Sequence, residues 1–219
     1  MRAEELAHVL PLLGQEDVFV LDLDRMYGHA GCVIMASGMG VRFGGNKLMA
    51  PFCGEPMIGR ILDATHGIFD RRVVVTRHRD VADYCAARHV GTVLHDLPYR
   101  SDTVRLGLEA IGCGLDACMF CPGDQPLLEQ STVAALAMAA AGDRSSVFRA
   151  AFEDTVGAPV IFPAQMFAAL MTLPEGKGGG YLMKRYPERV KTVSAANRWE
   201  LVDADTGETL RVLEEHFGI

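Results

Sequence analysis

Short apolar runs recur along this chain, and the stretches between them have helical rather than extended patterning. Runs at 31–35, 72–76, 91–95 and 117–121 read as buried strands, and Val73, Val74 and Val75 suit a strand covered on both faces. Between the first two, residues 56–69 place Met57, Ile58, Ile61, Leu62, Thr65, Ile68 and Phe69 at helical spacing, with Pro56 suited to the first turn. Residues 80–89 and 102–111 are further helices, with Ser101 as the expected N-cap of the second. Beyond them come an alanine-rich helix from Ser131 to about 141 and strands near 146–152 and 159–162 flanking a turn. Helices near 164–173 and 180–186, a strand near 190–194 and a helix near 208–217 complete the series. Such alternation implies a Rossmann-like three-layer α/β/α fold around a mostly parallel sheet. Residues 31–219 read as one domain; residues 1–30, with a short helix at 3–13 and a strand at 18–23, read as an N-terminal extension.

Charge narrows the function classes. Twenty-one basic and 28 acidic residues give a net charge of −7, which argues against sequence-independent nucleic-acid binding, since that needs a basic face. A small anionic substrate in a local cationic pocket stays open. Glu4 and Glu5 stand where a signal peptide would be basic, and no apolar run approaches the roughly 20 residues of a membrane span, so a cytoplasmic location is expected. Cys118 and Cys121 have the spacing of a metal or redox pair. In a strand, however, residues three apart face opposite sides of the sheet, and buried thiols are the expectation.

In parallel sheets ligands bind beyond the carboxyl ends of the strands, and two loops there stand out. The first runs Met35-Ala36-Ser37-Gly38-Met39-Gly40-Val41-Arg42-Phe43-Gly44-Gly45-Asn46-Lys47. Its glycines let backbone amides turn toward an anion, and Arg42 and Lys47 add full charges suited to phosphate oxygens. Spacing excludes two rivals. A dinucleotide fingerprint beginning at Gly38 requires glycine where Phe43 stands, and a phosphate-binding P-loop beginning at Gly40 requires lysine where Asn46 stands. The second loop, Pro122-Gly123-Asp124-Gln125-Pro126-Leu127, places a carboxylate at a strand end, where it either holds Mg²⁺ or closes an Asx turn.

Together these loops resemble the A-x-G-x-x-x-R-x-G-x-x-K and Gly-Asp-Gln-Pro motifs of the molybdenum cofactor cytidylyl- and guanylyltransferases and their wider nucleotidyltransferase superfamily. Ala36, Gly38, Arg42, Gly44 and Lys47 match in register, with Ser37 in place of a more usual alanine or glycine. The resemblance covers residues 31–217 and implies a nucleotide-diphospho-sugar transferase-like fold. It implies that Met35, Ala36, Ser37, Gly38, Lys47 and Asp124 bind a nucleotide, that Arg42, Lys47 and Asp124 are catalytic, and that Mg²⁺ is held by Asp124. Tyr99-Arg100-Ser101-Asp102-Thr103 is similar to a stretch that reads the base in the cytidylyl branch, which would make Arg100 and Ser101 base-binding; simple helix capping is the other reading.

Three segments depart from the family or leave it open. Ala158 stands for a histidine in Gly157-Ala158-Pro159-Val160, and Gly176 and Gly180 replace an acid and an arginine in the loop at 175–180. Val202-Asp203-Ala204-Asp205-Thr206 resembles a C-terminal aspartate segment that caps the last helix and supplies a second metal carboxylate, Asp203 favoured over Asp205. The activity implied is transfer of CMP from CTP to molybdopterin with release of pyrophosphate, a molybdoenzyme then receiving the cofactor. A guanylyltransferase, another small-phosphate nucleotidyltransferase, and a non-catalytic nucleotide or cofactor chaperone are the alternatives. His66, His78, His89 and His95 have no partners at telling spacing and are expected to be structural or solvated.

Overall fold

A computed structural model describes residues 28–40, 43–69 and 71–217. The helix and strand expected within 3–23, and Arg42, lie outside the described residues. Seven strands form one sheet: β1 (Ala30–Ala36), β4 (Arg71–Thr76), β5 (Gly91–Leu94), β6 (Ala117–Pro122), β7 (Val147–Phe152), β8 (Thr155–Pro163) and β9 (Val190–Ser194), in the order β5-β4-β1-β6-β8-β7-β9. The short strands β2 (Pro51–Phe52) and β3 (Glu55–Pro56) form a separate ribbon. Pairing is parallel from β5 through β6 and between β7 and β9; β8 runs antiparallel to both its neighbours.

Helices α1 (Met57–Ala64), α2 (Arg79–Ala87), α3 (Arg100–Ile111), α4 (Gln130–Gly142), α5 (Phe167–Met171), α6 (Gly180–Arg185) and α7 (Gly207–Phe217) cover the sheet. Strand alternation divides the core in two. Cys32, Ile34, Met119 and Cys121 pack with the apolar faces of α1, α4 and α7, while Val33, Cys118 and Phe120 pack with those of α3 and α5. Cys118 and Cys121 therefore lie on opposite faces, as the period of two requires, and the six cysteines are all free thiols. Burial pushes the Cys32 thiol up to about 12 and raises Cys118 and Cys121 as well.

Several boundaries differ from the sequence expectation, each for a local reason. The helix expected over 56–69 ends at Ala64: Thr65 Oγ1 donates back to the Ile61 carbonyl at 2.8 Å, and Gly67 has φ 73°. Helix α3 begins two residues earlier than Ser101 as its cap would place it. Tyr99 is the N-cap, and its amide donates to Asp102 Oδ2 at 3.1 Å. Ser131 lies inside the first turn of α4, whose N-cap is Glu129. The expected helix at 164–173 is a 3-10 turn followed by the short α5.

Helix α3 lies close to β1 because Gly107 faces Val33; a Cβ at 107 would overlap Val33 Cγ1. Gly107→Ala gains up to about 1 kcal/mol in helix propensity. Overpacking against a stiff β-branched side chain costs about 1–3 kcal/mol. We expect net destabilisation, read as a lower urea midpoint at unchanged slope. An unchanged or higher midpoint would show that the α3–β1 contact yields freely.

Candidate active site

The loops after β1 and β6 leave the carboxyl ends of adjacent strands and face one crevice of about 700 Å³, a volume suited to a nucleotide-sized ligand. Met35, Ser37, Gly38, Met39, Asp124 and Gln125 line one part of it; Tyr99, Arg100, Gly157, Ala158, Gly178, Leu201 and Asp203 line others. Gly40 shapes the first loop: at φ 59° its carbonyl accepts from the Phe43 and Gly44 amides, and a Cβ there would overlap the Gly45 carbonyl.

Lys47 opens a 3-10 turn whose N-cap, Asn46, accepts the Leu48 amide at 3.2 Å and donates to Asp80 at 2.8 Å. Lys47 Nζ is thereby fixed between two carboxylates, 2.6 Å from Asp124 Oδ2 and 2.7 Å from Asp205 Oδ1. Burial opposes the ammonium charge, but the hydrogen bonds to Asp124 and Asp205 outweigh it and raise the Lys47 pKa. Asp203 lies beside this group. Gln125 Nε2 donates to Asp203 Oδ1 at 2.9 Å, and desolvation of the carboxyl followed by the Asp124 charge pushes its pKa up, although the residue as a whole is exposed. Of the two C-terminal aspartates, Asp205 meets Lys47 and Asp203 meets Gln125.

The C-terminal aspartate segment is held by backbone bonds. The Ala204 amide donates to the Asp124 carbonyl at 2.8 Å. Fully buried Glu200 accepts the amides of Ala196 (2.7 Å), Asn197 (3.3 Å) and Glu129 (3.0 Å), fastening the 3-10 turn Arg198–Leu201 to the start of α4. Thr206, rather than an aspartate, caps α7 by accepting the Thr209 amide at 3.1 Å.

Arg100 and Ser101 sit in the first turn of α3; Arg100 reaches the crevice and packs against Gly178 of the 175–180 loop. Sequence reasoning missed Arg77, whose guanidinium donates to the Ser37 carbonyl at 2.9 Å and the Leu97 carbonyl at 2.8 Å, joining the glycine loop to the stretch leading into Arg100. Its position one residue past the carboxyl end of a parallel strand was the available signal. It missed Glu200 as well, which no motif marks. Two of the histidines expected to be structural make contacts here. His95 accepts the Leu97 amide on Nδ1, so its Nε2–H donates to Ser37 Oγ at 2.7 Å. His78 bonds the Gly38 carbonyl. Burial and then Arg77 lower the His95 pKa, which preserves its neutral form.

A glycine loop, one lysine and a group of carboxylates thus meet at adjacent strand ends beside one α/β crevice. Residues 32–190 match the MobA-like NTP transferase domain, and the chain belongs to that nucleotidyltransferase family. The bifunctional protein GlmU of Gluconacetobacter diazotrophicus is 31% identical over 120 residues, 53% of this chain; the match spans only 26% of GlmU. The fold is that of Rv0371c from Mycobacterium tuberculosis H37Rv (TM-score 0.73, 23% identity, 85% of this chain and 98% of that one). A manganese complex of Rv0371c superposes with TM-score 0.67 at 21% identity, covering 85% of this chain and 98% of that one. CMP:2-keto-3-deoxy-manno-octonic acid synthetase complexed with CTP also shares the fold (TM-score 0.68, 15% identity, 87% and 98% coverage).

Lys47→Met leaves Asp124 and Asp205 facing each other without the ammonium. Breaking a fully buried pair costs about 3–5 kcal/mol, and partial exposure of Asp205 at 38% lowers the expected loss to about 2 kcal/mol. The raised lysine pKa fixes the sign. The stabilisation is whole below the ordinary 10.5 and is lost as pH rises through the higher folded value. The urea midpoints of wild type and variant should therefore differ at pH 7, begin to approach one another above pH 10.5 and converge only past the higher folded value.

Proposed function

We propose that this chain transfers CMP from CTP to molybdopterin, releasing pyrophosphate, and that a molybdoenzyme then receives the cofactor. The observation that carries the nucleotidyl-transfer part is the meeting of the Ser37–Met39 wall with Lys47, Asp124 and Asp205 at one crevice. The Gly-Asp-Gln-Pro sequence at Asp124, and a structural neighbour that is complexed with CTP, support the cytidylyl assignment.

The residues suit a divalent cation. Among the described residues no three His, Cys, Asp or Glu side chains converge as a metal cage, whereas one or two carboxylates beside a phosphate site are what Mg²⁺ uses. Asp124, with Asp205 or Asp203, would hold it, and a structural neighbour that is in complex with manganese supports a divalent cation. Bound there, the cation supplies neutralisation of phosphate charge. The rest of the reaction is positioning and charge stabilisation. The glycine-loop amides and Lys47 hold the triphosphate, and Arg100 faces the base. The acceptor's phosphate oxygen bonds to the α-phosphorus, the bond from that phosphorus to the bridging oxygen breaks, and pyrophosphate leaves with the electron pair. Lys47, once drawn onto the phosphates, balances the charge that builds on the leaving group.

The chain with molybdopterin, Mg²⁺ and each nucleoside triphosphate in turn should release pyrophosphate fastest with CTP. Preference for GTP would replace the cytidylyl assignment with a guanylyl one, and no release with any triphosphate would leave a nucleotide or cofactor chaperone. Lys47→Ala and Asp124→Ala should each lower kcat by about 100-fold or more, with folded protein retained by circular dichroism.

A further inference from the structure

Thr76, Arg77 and His78 leave the carboxyl end of β4, and Ala36, Ser37 and Gly38 leave the carboxyl end of β1. The two triplets meet rung for rung. Thr76 Oγ1 donates to the Ala36 carbonyl at 2.9 Å, Arg77 Nε to the Ser37 carbonyl at 2.9 Å, and His78 Nε2 to the Gly38 carbonyl at 2.8 Å. Parallel pairing sets this register, since Ala36 and Thr76 are strand partners. A carbonyl only accepts, so Nε2 of His78 carries the proton.

In a trans peptide the carbonyl and the following amide point in opposite directions. The cis bond among the described residues is Ala158–Pro159, so the peptides from Ala36 to Met39 are trans. Three carbonyls drawn toward the β4 side chains therefore turn the amides of Ser37, Gly38 and Met39 away from them. Successive amides facing one way make a concavity of positive potential that favours anions, and these three residues line the crevice.

We infer that Thr76, Arg77 and His78 form a three-rung ladder that positions the glycine loop with its amides presented to a triphosphate. The inference rests on the nucleotide reading of the crevice. Arg77 extends the ladder sideways, because its second bond, to the Leu97 carbonyl, carries the same register toward Arg100. These are positioning residues, acting through the loop. The Thr76 rung is buried and doubly engaged, since its hydroxyl also accepts the His78 amide at 3.1 Å. Arg77 and His78 are partly exposed and are the rungs open to substitution.

The test is calorimetric binding of tripolyphosphate and of CTP to the full chain. Tripolyphosphate reports on the phosphate-holding groups, the loop amides with Lys47, and CTP on those groups and the base contacts together. Arg77→Met loses two bonds to backbone carbonyls and should weaken tripolyphosphate about tenfold or more, and CTP at least as much. His78→Ala should weaken both about three- to tenfold, and His78→Gln, which keeps an N–H donor, should restore most of it. Arg77→Lys, which keeps the charge but not the two directional donors, should recover little; full recovery would mean Arg77 acts as a direct charge and would overturn the ladder. Folded Arg77→Met and His78→Ala proteins that bind tripolyphosphate like wild type would overturn it too, as would loss of CTP binding alone. If Arg77→Met does not fold, the His78 pair decides. A wild-type chain that binds neither tripolyphosphate nor any nucleoside triphosphate would remove the nucleotide reading itself, a result distinct from normal wild-type binding with indifferent variants.

Discussion

Lys47 holds together parts of the chain that lie far apart in sequence, reaching Asp124 across 77 positions and Asp205 across 158. Its ammonium is surrounded by carboxylates, with Asp203 close enough to Asp124 for that charge to act on it. The cost of gathering like charges is offset by one short, well-placed cation and by backbone bonds behind each aspartate. The rest of the crevice depends on this arrangement. With Lys47 in place, the glycine loop, the aspartate loop and the C-terminal segment share one surface; without it, two of them carry the same charge and repel.

Strand order explains why the crevice forms where it does. β1 lies between β4 and β6, so the loop after β1 has a neighbour on each side. The β6 side supplies the carboxylate and the β4 side supplies donors to the loop carbonyls. β8 inserts antiparallel beside β6, which brings Gly157 and Ala158 to the same crevice, while β9, parallel to β7, delivers the chain to Glu200 and the aspartates beyond.

What could be read in the sequence was local. Alternating apolar runs gave the layers, and the glycine loop and Asp124 were found because their residue types sit within a few positions of one another. Cap residues were misjudged at Ser101 and Ser131 because stronger carboxylate partners, Asp102 for the Tyr99 amide and Glu200 for the Glu129 amide, set those helix starts. The partners of Lys47 beyond Asp124, and the donors on β4, depend on which strands are adjacent. A pairing at a separation of 40, such as Thr76 with Ala36, leaves no trace in spacing.

Glu200 has a different consequence. It is a carboxylate at 0% exposure that accepts hydrogen bonds from three backbone amides. Mobile ions screen pairs between exposed charges far more than they screen dipoles packed around a buried one. Rising ionic strength thus weakens the partly exposed grip of Lys47 on Asp205 while leaving the stretch that carries Asp203 and Asp205 anchored at its root. The two fastenings of that segment answer to different solvents, one to salt and the other to denaturants that compete for amides.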